Sequence, residues 1–430
     1  MKRQISKGLK SAVVAIAAAG ILMSGCSAGS SSASSAASSS ESSTSAKLES
    51  SEENAEVISQ TSQSSEEASE KEESDKVQDT EAPSIEGLTY EGSMKLEYAK
   101  KFKVHYYQGG YKLIEVVDDA SYLIVPEGAE APEGLDSDIQ VIYQPLENVY
   151  LAATSAMSLF DVIDGLDCIK YSGSKADAWY VDAAKEAMQE GKMTYAGKYS
   201  EPDYEMLLDG NCDLAIESTM ILHTPKVEEM LETLGIPVFT DRSSYESDPM
   251  GRTEWVKAYA AMLNKEEEAE SFFEERDEVM NETQSYEKTD LKVAFFYIDS
   301  DGSVVVRNNT DYIAKMIEMA GANYTYSDLF DDSEGKANIT VSMEQFYDVA
   351  LEADYLVYNA AISNPITSID DLISKSELFA DFKAVKNGNV YTTGKSLYQA
   401  TDHITDFIVD IYNMIHDNNS DLTFISKVGE

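Results

Sequence analysis

Val149-Tyr150-Leu151-Ala152-Ala153 is a compact apolar run. It is followed by Thr154-Ser155, by a helical pattern through Phe160 and Ile163 to Gly165, and by a second apolar run, Cys168-Ile169-Lys170-Tyr171. Strand, helix and strand in this order form a βαβ unit, which implies parallel strands with the helix crossing over them. In this reading Thr154-Ser155 caps the helix, because a hydroxyl there accepts from the free N–H groups of the first turn. Asp213-Leu214-Ala215-Ile216 and Ile236-Pro237-Val238-Phe239 supply further strands, with Pro225 to Leu234 as the helix between them. The fold class is therefore α/β, with Rossmann-like lobes built on parallel central sheets.

Upstream of this unit the style differs. Leu88-Thr89-Tyr90, Phe102 to Tyr106, Tyr111 to Val116 and Tyr122 to Val125 are short aromatic and β-branched runs separated by Gly109-Gly110 and Asp118-Asp119, which predicts a small antiparallel meander. Downstream, Met250 to Tyr286 is helical with a break at Asn264. From Glu266 onward Ala269, Phe272, Phe273, Arg276, Val279, Met280 and Thr283 fall at helical spacing, a long helix placed as a strut between two lobes. A second α/β pattern then begins: strand Leu291 to Tyr297, helices Tyr312 to Ala320 and Met343 to Ala350, and strands Tyr355 to Tyr358 and Asn389 to Tyr391.

The amino terminus sets the compartment. Lys2, Arg3, Lys7 and Lys10 precede an apolar run from Ala12 to Met23, too short for the roughly 20 residues of a spanning helix. It ends in Leu22-Met23-Ser24-Gly25-Cys26, similar to a bacterial lipobox, so residues 1–25 are expected to be a signal peptide and Cys26 the lipidated first residue of the mature chain. Residues 26–86 are rich in Ser, Ala and Glu without one aromatic, too polar to offset the entropy of ordering, and are expected to be a disordered tether. The formal charge of the whole chain is -45. So acidic a protein lacks the attraction on which non-specific nucleic-acid binding depends, and no nucleic acid is expected as a partner. The organisation reads as a first lobe over 87–264, an interlobe helix over 265–287 and a second lobe over 288–430.

Two segments echo one another. Pro202-Asp203-Tyr204-Glu205 opens a helix that ends in Asp213 and the strand Leu214 to Ile216, and Val341-Ser342-Met343-Glu344 opens one that ends in Asp354 and the strand Tyr355 to Val357. Each glutamate stands at a helix start, where a carboxylate offsets the positive end of the helix dipole. Together with the lipobox, the tether and the strut, this pattern resembles the substrate-binding lipoproteins of ABC importers for iron complexes, haem and cobalamin. Asp248-Pro249-Met250-Gly251-Arg252-Thr253-Glu254-Trp255-Val256-Lys257 is similar to a Pro-Leu-Gly-Arg-x-Glu-Trp-x-Lys run of one branch of that family, and Leu234-Gly235-Ile236-Pro237-Val238 matches its Leu-Gly-Ile-Pro-Val strand. Leu166 to Gly173 departs from the family's usual first-lobe segment, which bears on the ligand class more than on the fold.

The resemblance implies a class III periplasmic-binding-protein fold, two lobes joined by a single long helix, and a membrane-anchored monomer on the extracytoplasmic face. Its cargo would be a ferric siderophore, haem or a corrinoid. Its partners would be an ABC permease dimer with its ATPase and, through acylated Cys26, the lipid bilayer. The resemblance also gives Glu205 and Glu344 a second meaning, as carboxylates that dock on arginines of the permease. A surface sensor or scavenger working with a signalling partner is the alternative.

Ligands of open α/β sheets bind outside the carboxyl ends of the strands. That rule selects Thr154, Ser155, Trp179, Ser218, Thr219, Tyr245 and Arg252 in the first lobe, and Tyr297, Arg307, Asn308, Tyr358, Asn359 and Tyr398 in the second. Tyr and Trp supply area with a polar handle, and guanidinium pairs bidentately with carboxylate. For Arg252 an internal ion pair with Glu254 is the equal alternative. His105, His223, His403 and His416 show no ligand-pair spacing, so no protein-held metal or cofactor is expected. Asp299-Ser300-Asp301-Gly302 reads as a turn. Cys168 and Cys212 open strands on either side of the first, about 9.6 Å apart, beyond the roughly 7 Å a disulfide spans; both are expected as free thiols. No Gly-x-Ser-x-Gly, phosphate loop or histidine beside a candidate nucleophile marks an enzyme.

Overall fold

The computed structural model describes residues 82–328 and 337–429. The expected signal peptide, the expected lipidation site Cys26 and the expected tether up to residue 81 lie outside the described residues. The described chain belongs to one compact unit, Glu72–Glu430. Folded structure begins earlier than the expected boundary at 86: Ile85 is buried, and Tyr107 donates from its hydroxyl to the Pro83 carbonyl at 2.5 Å.

The first sheet comprises β1 (Tyr90–Ser93), β2 (Phe102–Tyr107), β3 (Tyr111–Val116), β4 (Ser121–Val125) and β5 (Ile139–Tyr143), in that order. The first four form the expected antiparallel meander, and β5, which the sequence reading left out, pairs parallel with β4. Alternation along the strands gives the sheet two apolar faces. Val104, Ile114, Tyr122 and Ile124 pack on the first lobe, while Leu113, Leu123 and Val125 face a small core with Ile85 and Tyr107.

The first lobe holds β6 (Val149–Leu151), α1 (Met157–Asp161), β7 (Ile169–Ser172), α2 (Asp182–Gln189) and β8 (Thr194–Tyr195). The short ribbon β9 (Gly197–Lys198) and β10 (Glu201–Pro202) follows, then α3 (Tyr204–Asp209), β11 (Leu214–Ser218), α4 (Pro225–Thr233) and β12 (Val238–Asp241). The sheet order β12-β11-β6-β7-β8 is parallel throughout. Strand alternation again divides the core: Val149, Leu151, Leu214 and Ile216 face one helical layer, and Tyr150 and Ala215 the other. At the carboxyl ends of β6 and β7 the chains approach so closely that a Cβ on Gly173 would lie 2.7 Å from the Ala152 Cα. Cys168 and Cys212 flank the central strand as free, buried thiols, and burial pushes both up to about 12.

Asp248 accepts from the Met250 N–H at 3.0 Å and Pro249 fills the first helical position, which starts α5 (Pro249–Glu254), followed by α6 (Val256–Leu263). Asn264 ends α6 in the left-handed region at φ 56°, the expected break, and α7 (Glu266–Thr283) follows with Glu266, Glu267 and Glu268 in its first turn. The junction is tied to the meander by buried Lys112. Its ammonium donates to the Ala261 carbonyl at 2.9 Å and the Asn264 side chain at 2.8 Å, and pairs with Glu266. Ala269 of α7 packs in the first-lobe core, whereas Phe273 and Met280 pack in the second-lobe core. Burying the latter two contributes on the order of 1.5–3 kcal/mol each. The strut thus joins the lobes, ending three residues before the expected Tyr286.

The second lobe comprises β13 (Lys292–Ile298), β14 (Val304–Arg307), α8 (Tyr312–Met319), β15 (Asn323–Tyr324), β16 (Asn338–Val341), α9 (Met343–Ala350), β17 (Tyr355–Tyr358), α10 (Ile369–Lys375), α11 (Lys383–Asn387), β18 (Val390–Thr393), α12 (Asp406–Ile415) and β19 (Ile425–Lys427). Its parallel centre, β13, β17 and β18, is the expected one, and β15, which the sequence reading left out, pairs parallel with the start of β13. Antiparallel β14 and β16 extend one edge and β19 the other, so this sheet is mixed rather than parallel throughout. Asp299 to Gly302 forms the tight β13–β14 turn, with Gly302 at φ 86°.

Candidate functional site

In each lobe a helix packs beside the central strands so that an aspartate at its end locks the next strand in place. Asp213 accepts from the Glu147 and Asn148 N–H groups at 2.8 and 2.7 Å, at the entry to β6. Asp354 accepts from the Lys292 N–H at 2.9 Å, at the entry to β13. The echo between the two segments is therefore structural. Glu205 and Glu344 are each the second residue of their helices, α3 and α9, and both are exposed. Neither is the cap. Asp203 caps α3 by accepting from the Met206 N–H at 3.0 Å, and Ser342 with Gln345 forms a capping box on α9. The Glu344 carboxyl is held below its usual range by its own backbone N–H and by Ser342.

The carboxyl ends of the strands in both lobes face a common seam, where α5 of the first lobe meets α8 and the 395–403 turns of the second. Arg252 leaves α5 toward this seam. Its Nη1 donates to the Ser243 carbonyl at 3.2 Å, and its guanidinium lies 4.1 Å from the centre of the Tyr312 ring across the seam. It does not pair with Glu254. That carboxylate, fully buried, accepts from the N–H groups of Glu97, Tyr98 and Ala99 at 2.8 to 3.1 Å and meets Lys257 at 3.3 Å. Glu246 does the same for Lys100 and Lys101, and also accepts from the Trp255 indole at 3.1 Å. In Arg-x-Glu-Trp, the arginine faces the seam while the glutamate and tryptophan bind the meander.

On the other side Arg307 reaches the Tyr398 hydroxyl and lies 3.6 Å from Asp311; burial opposes its charge, but Tyr398 and Asp311 hold it a cation. Asn359 donates to the same hydroxyl at 2.8 Å. Tyr358 is buried at the end of β17, Tyr297 is half-buried at the end of β13, and Asn308 is buried where the chain turns into α8. Among the first-lobe residues, Thr154 is half-buried, and Ser155 donates to Asp241 at 2.7 Å. The Thr154-Ser155 pair does not cap α1, whose cap residue is Ala156, without a side-chain bond. Ser218 accepts from the Met220 N–H at 3.4 Å, and Thr219 lies 3.4 Å from Ser244. Tyr245 is exposed, as are Tyr180, Met220, Leu222 and Ile362. Trp179 is a correction: it is 1% exposed, packed in the first-lobe core, and donates to Ser172 at 3.0 Å. Its neighbours make the contact instead. Gln399 of the second lobe accepts from the Tyr180 N–H at 2.8 Å and donates to the Ala178 carbonyl at 2.9 Å. Thr253 donates to the Thr401 carbonyl at 2.9 Å, Asp402 to Ser158 at 3.3 Å, and Lys315 lies 3.6 Å from Asp248, all between lobes.

Several buried polar atoms at this seam have no hydrogen-bond partner: Arg252 Nε, Ser243 Oγ, Tyr312 Oη, Tyr358 Oη, Asn359 Oδ1 and Thr401 Oγ1. Buried polar groups are ordinarily paired, and these six come from both lobes. Sequence reasoning missed Tyr312, Asp311 and Ser243. The signal available was Asp311-Tyr312 at a helix start, since Asp311 caps α8 by accepting from the Ile313 N–H at 3.0 Å.

Among the described residues no group of three metal-ligating side chains occurs, and no helix is long and apolar enough to cross a membrane. His223 and His416 are exposed, and His403 stacks on Phe424 and bonds Asp402 at 2.7 Å. Burial disfavours the His403 cation, but Asp402 and Asp406 outweigh it and raise its pKa. One histidine does stand beside a serine, contrary to expectation: His105 lies 2.7 Å from Ser93 and 2.6 Å from Glu115. It is fully buried across adjacent strands, and the two bonds satisfy both ring nitrogens.

The family model described as periplasmic binding protein matches residues 154–397. An uncharacterized lipoprotein of Methanocaldococcus jannaschii is 30% identical over 335 residues, 74% of this chain and 75% of its own length. A second from the same organism is 25% identical over 349 residues, 77% and 86% of the two chains. Among solved structures, a periplasmic binding protein from Veillonella parvula superposes with a TM-score of 0.53 at 15% identity, covering 74% of this chain and 98% of that one. The periplasmic haem-binding protein HutB of Vibrio cholerae gives 0.51 at 15%, covering 62% and 98%. At this identity the two structures speak for the fold.

Proposed function

We propose, from the premise that the chain belongs to the periplasmic binding protein family, that it captures an iron complex or a corrinoid between its lobes and hands it to an ABC permease. The fold is of class III, two α/β lobes on one long helix, and the protein is a solute-binding protein of the ABC-transporter type. The observation that carries the finer reading is the set of unpartnered polar atoms from both lobes at the carboxyl ends of the strands. Arginine, tyrosine and asparagine side chains there suit a large polar ligand with anionic or amide groups. Lipidation at Cys26 would hold the protein on the extracytoplasmic face of the membrane. Such tethering raises its concentration near the permease. Glu205 and Glu344, equivalent and outward, would set the orientation of docking by pairing with cationic groups.

The test is isothermal titration of the chain from Ser84 onward against haem, cobalamin, cobinamide, ferric citrate and ferrichrome. One-to-one saturable binding of one class at submicromolar concentration is the expected result. Heat-silent mixing with the entire panel would refute the iron-complex and corrinoid reading.

A further inference from the structure

Thr401–His403 is a single turn of the second lobe that is bonded to two helices of the first. Thr253 of α5 donates to the Thr401 carbonyl at 2.9 Å, and the Asp402 N–H donates to Ser158 of α1 at 3.3 Å. The Asp402 carboxylate is thereby carried toward the end of α1, where Asp161 and Asp164 stand. Burial pushes the Asp161 carboxyl up, and the charges of Asp402 and Asp164 push it further. Like charges therefore oppose one another across the lobes. Among the described residues the one ion-pair partner of Asp402 is His403, whose Nδ1 lies 2.7 Å from Oδ2. The other oxygen, Oδ1, is buried without a hydrogen-bond partner. His403 is half-buried and stacks on Phe424, with 5.3 Å between ring centres. Asp406 of α12 and Arg276 of α7 also face it. Asp410, the next carboxylate along α12, is spent on the N–H groups of Thr423, Phe424 and Ile425.

We propose that His403 is a pH-sensitive latch on lobe closure. Its imidazolium cancels the Asp402 charge and lets the 401–403 turn seat on α1; its neutral form leaves Asp402 uncompensated against Asp161 and Asp164, which drives the lobes apart. Histidine is the side chain whose charge changes nearest neutral pH, and a packed interface is the two-state element it can bias. Burial disfavours the His403 cation, but Asp402 and then Asp406 outweigh burial and Arg276, so the ring keeps its proton above the usual 6.5. Closure brings Asp161 and Asp164 toward the His403–Asp402 pair and raises the affinity for that proton further. The contribution to closure is thus complete below the pKa of the open form and is lost as pH rises through that of the closed form. Protonation of Asp161 acts in the same direction, so closure weakens steadily with rising pH. A solute held between the lobes is then released more readily in alkaline than in mildly acidic surroundings.

The test needs no ligand, so its outcome is independent of the cargo reading. Spin labels are placed on Glu205→Cys and Glu344→Cys, one on each lobe, in the full chain carrying Cys26→Ser; Cys168 and Cys212 are buried and stay unlabelled. Pulsed dipolar spectroscopy then measures the closed fraction from pH 6 to pH 8.5. The ratio of closed to open molecules should fall roughly three- to fivefold across this range, the size of a partly screened charge pair. His403→Gln should be as open at pH 6 as the unsubstituted chain is at pH 8.5, with a flat profile. Asp161→Asn should remain closed at pH 8.5, because it removes the opposing charge while leaving His403 in place. A distance distribution that does not change with pH in the unsubstituted chain overturns the latch. So does an unaltered pH profile in His403→Gln, or opening of Asp161→Asn to the same extent as the unsubstituted chain.

Discussion

Arg252 and Tyr312 stand on different lobes, 60 residues apart in the sequence, yet the guanidinium lies 4.1 Å from the ring centre. A cation over a tyrosine face in a desolvated setting is worth about 2 kcal/mol. The pair therefore belongs both to the lobe interface and to the place where cargo would be read. Tyr312 is buried, yet its hydroxyl has no partner, so ring and hydroxyl are separable.

That separation gives the first prediction. Tyr312→Phe should leave the thermal midpoint of the ligand-free protein within about 1 °C and weaken cargo binding a few-fold, the loss of one hydrogen bond to the ligand. Tyr312→Leu should weaken it further, roughly tenfold or more, because the cation loses its platform. Calorimetric titration of both variants decides; equal affinities for all three proteins would remove Tyr312 from the site.

Gln399 carries the second. Its amide makes two bonds to the backbone of residues 178 and 180 on the opposite lobe, as a paired strand would. At about 1 kcal/mol each, their loss in Gln399→Ala should raise the dissociation rate of cargo roughly thirtyfold while the association rate changes little. Stopped-flow chase with unlabelled ligand measures this, and an unchanged dissociation rate would show that the clamp lies off the release path.

Much of the frame was legible because it rests on local patterns. Asn264 interrupts an apolar helical stripe, so the strut could be placed from spacing alone, and the parallel centres of both sheets followed from apolar runs separated by helices. The edges were not legible. Val304–Arg307 and Asn338–Val341 form antiparallel additions to a parallel core, and nothing in a four-residue run states which neighbour it will find. The candidate site was legible in the placement of its arginines at the seam and less so in their partners. Glu254 sits two residues from Arg252, but two residues along a helix is not the same face, and its carboxylate goes to N–H groups more than 150 residues away. Trp179 has a partner, Ser172, that keeps its indole inside the lobe, and only the folded loop reveals it.

Glu217 supports a prediction about pH. It is fully buried on β11, neither oxygen has a partner, and burial, with a smaller contribution from Glu228, pushes its carboxyl well above the usual value of 4.5. A carboxyl that binds its proton more tightly in the folded state favours folding fully below about pH 4.5, and this contribution declines as pH rises toward the folded pKa. The slope is about 1.4 kcal/mol per pH unit for one such group. Glu217→Gln should therefore gain on the wild type as pH rises, with a larger advantage at pH 7.5 than at pH 5. Urea unfolding at both values tests it, and parallel pH profiles for the two proteins would show that the carboxyl is compensated.

The last prediction separates docking from capture. Glu205 and Glu344 occupy the same second position of equivalent helices, and the caps of those helices are supplied by Asp203 and by Ser342 with Gln345. Changing the glutamates should therefore cost each helix little, a few tenths of a kcal/mol from the dipole. Charge reversal at both, Glu205→Lys with Glu344→Lys, should leave cargo affinity and thermal midpoint nearly unchanged. It should abolish stimulation of the permease ATPase, because cationic docking groups would then face like charges, and single reversals should fall between, since each lobe contributes one contact. The measurement is cargo-dependent ATP hydrolysis by the reconstituted transporter, run beside calorimetric titration of the same variants. Full stimulation by the double variant would assign the glutamates to the helix termini alone. Loss of cargo binding in the same variant would instead place them within reach of the seam.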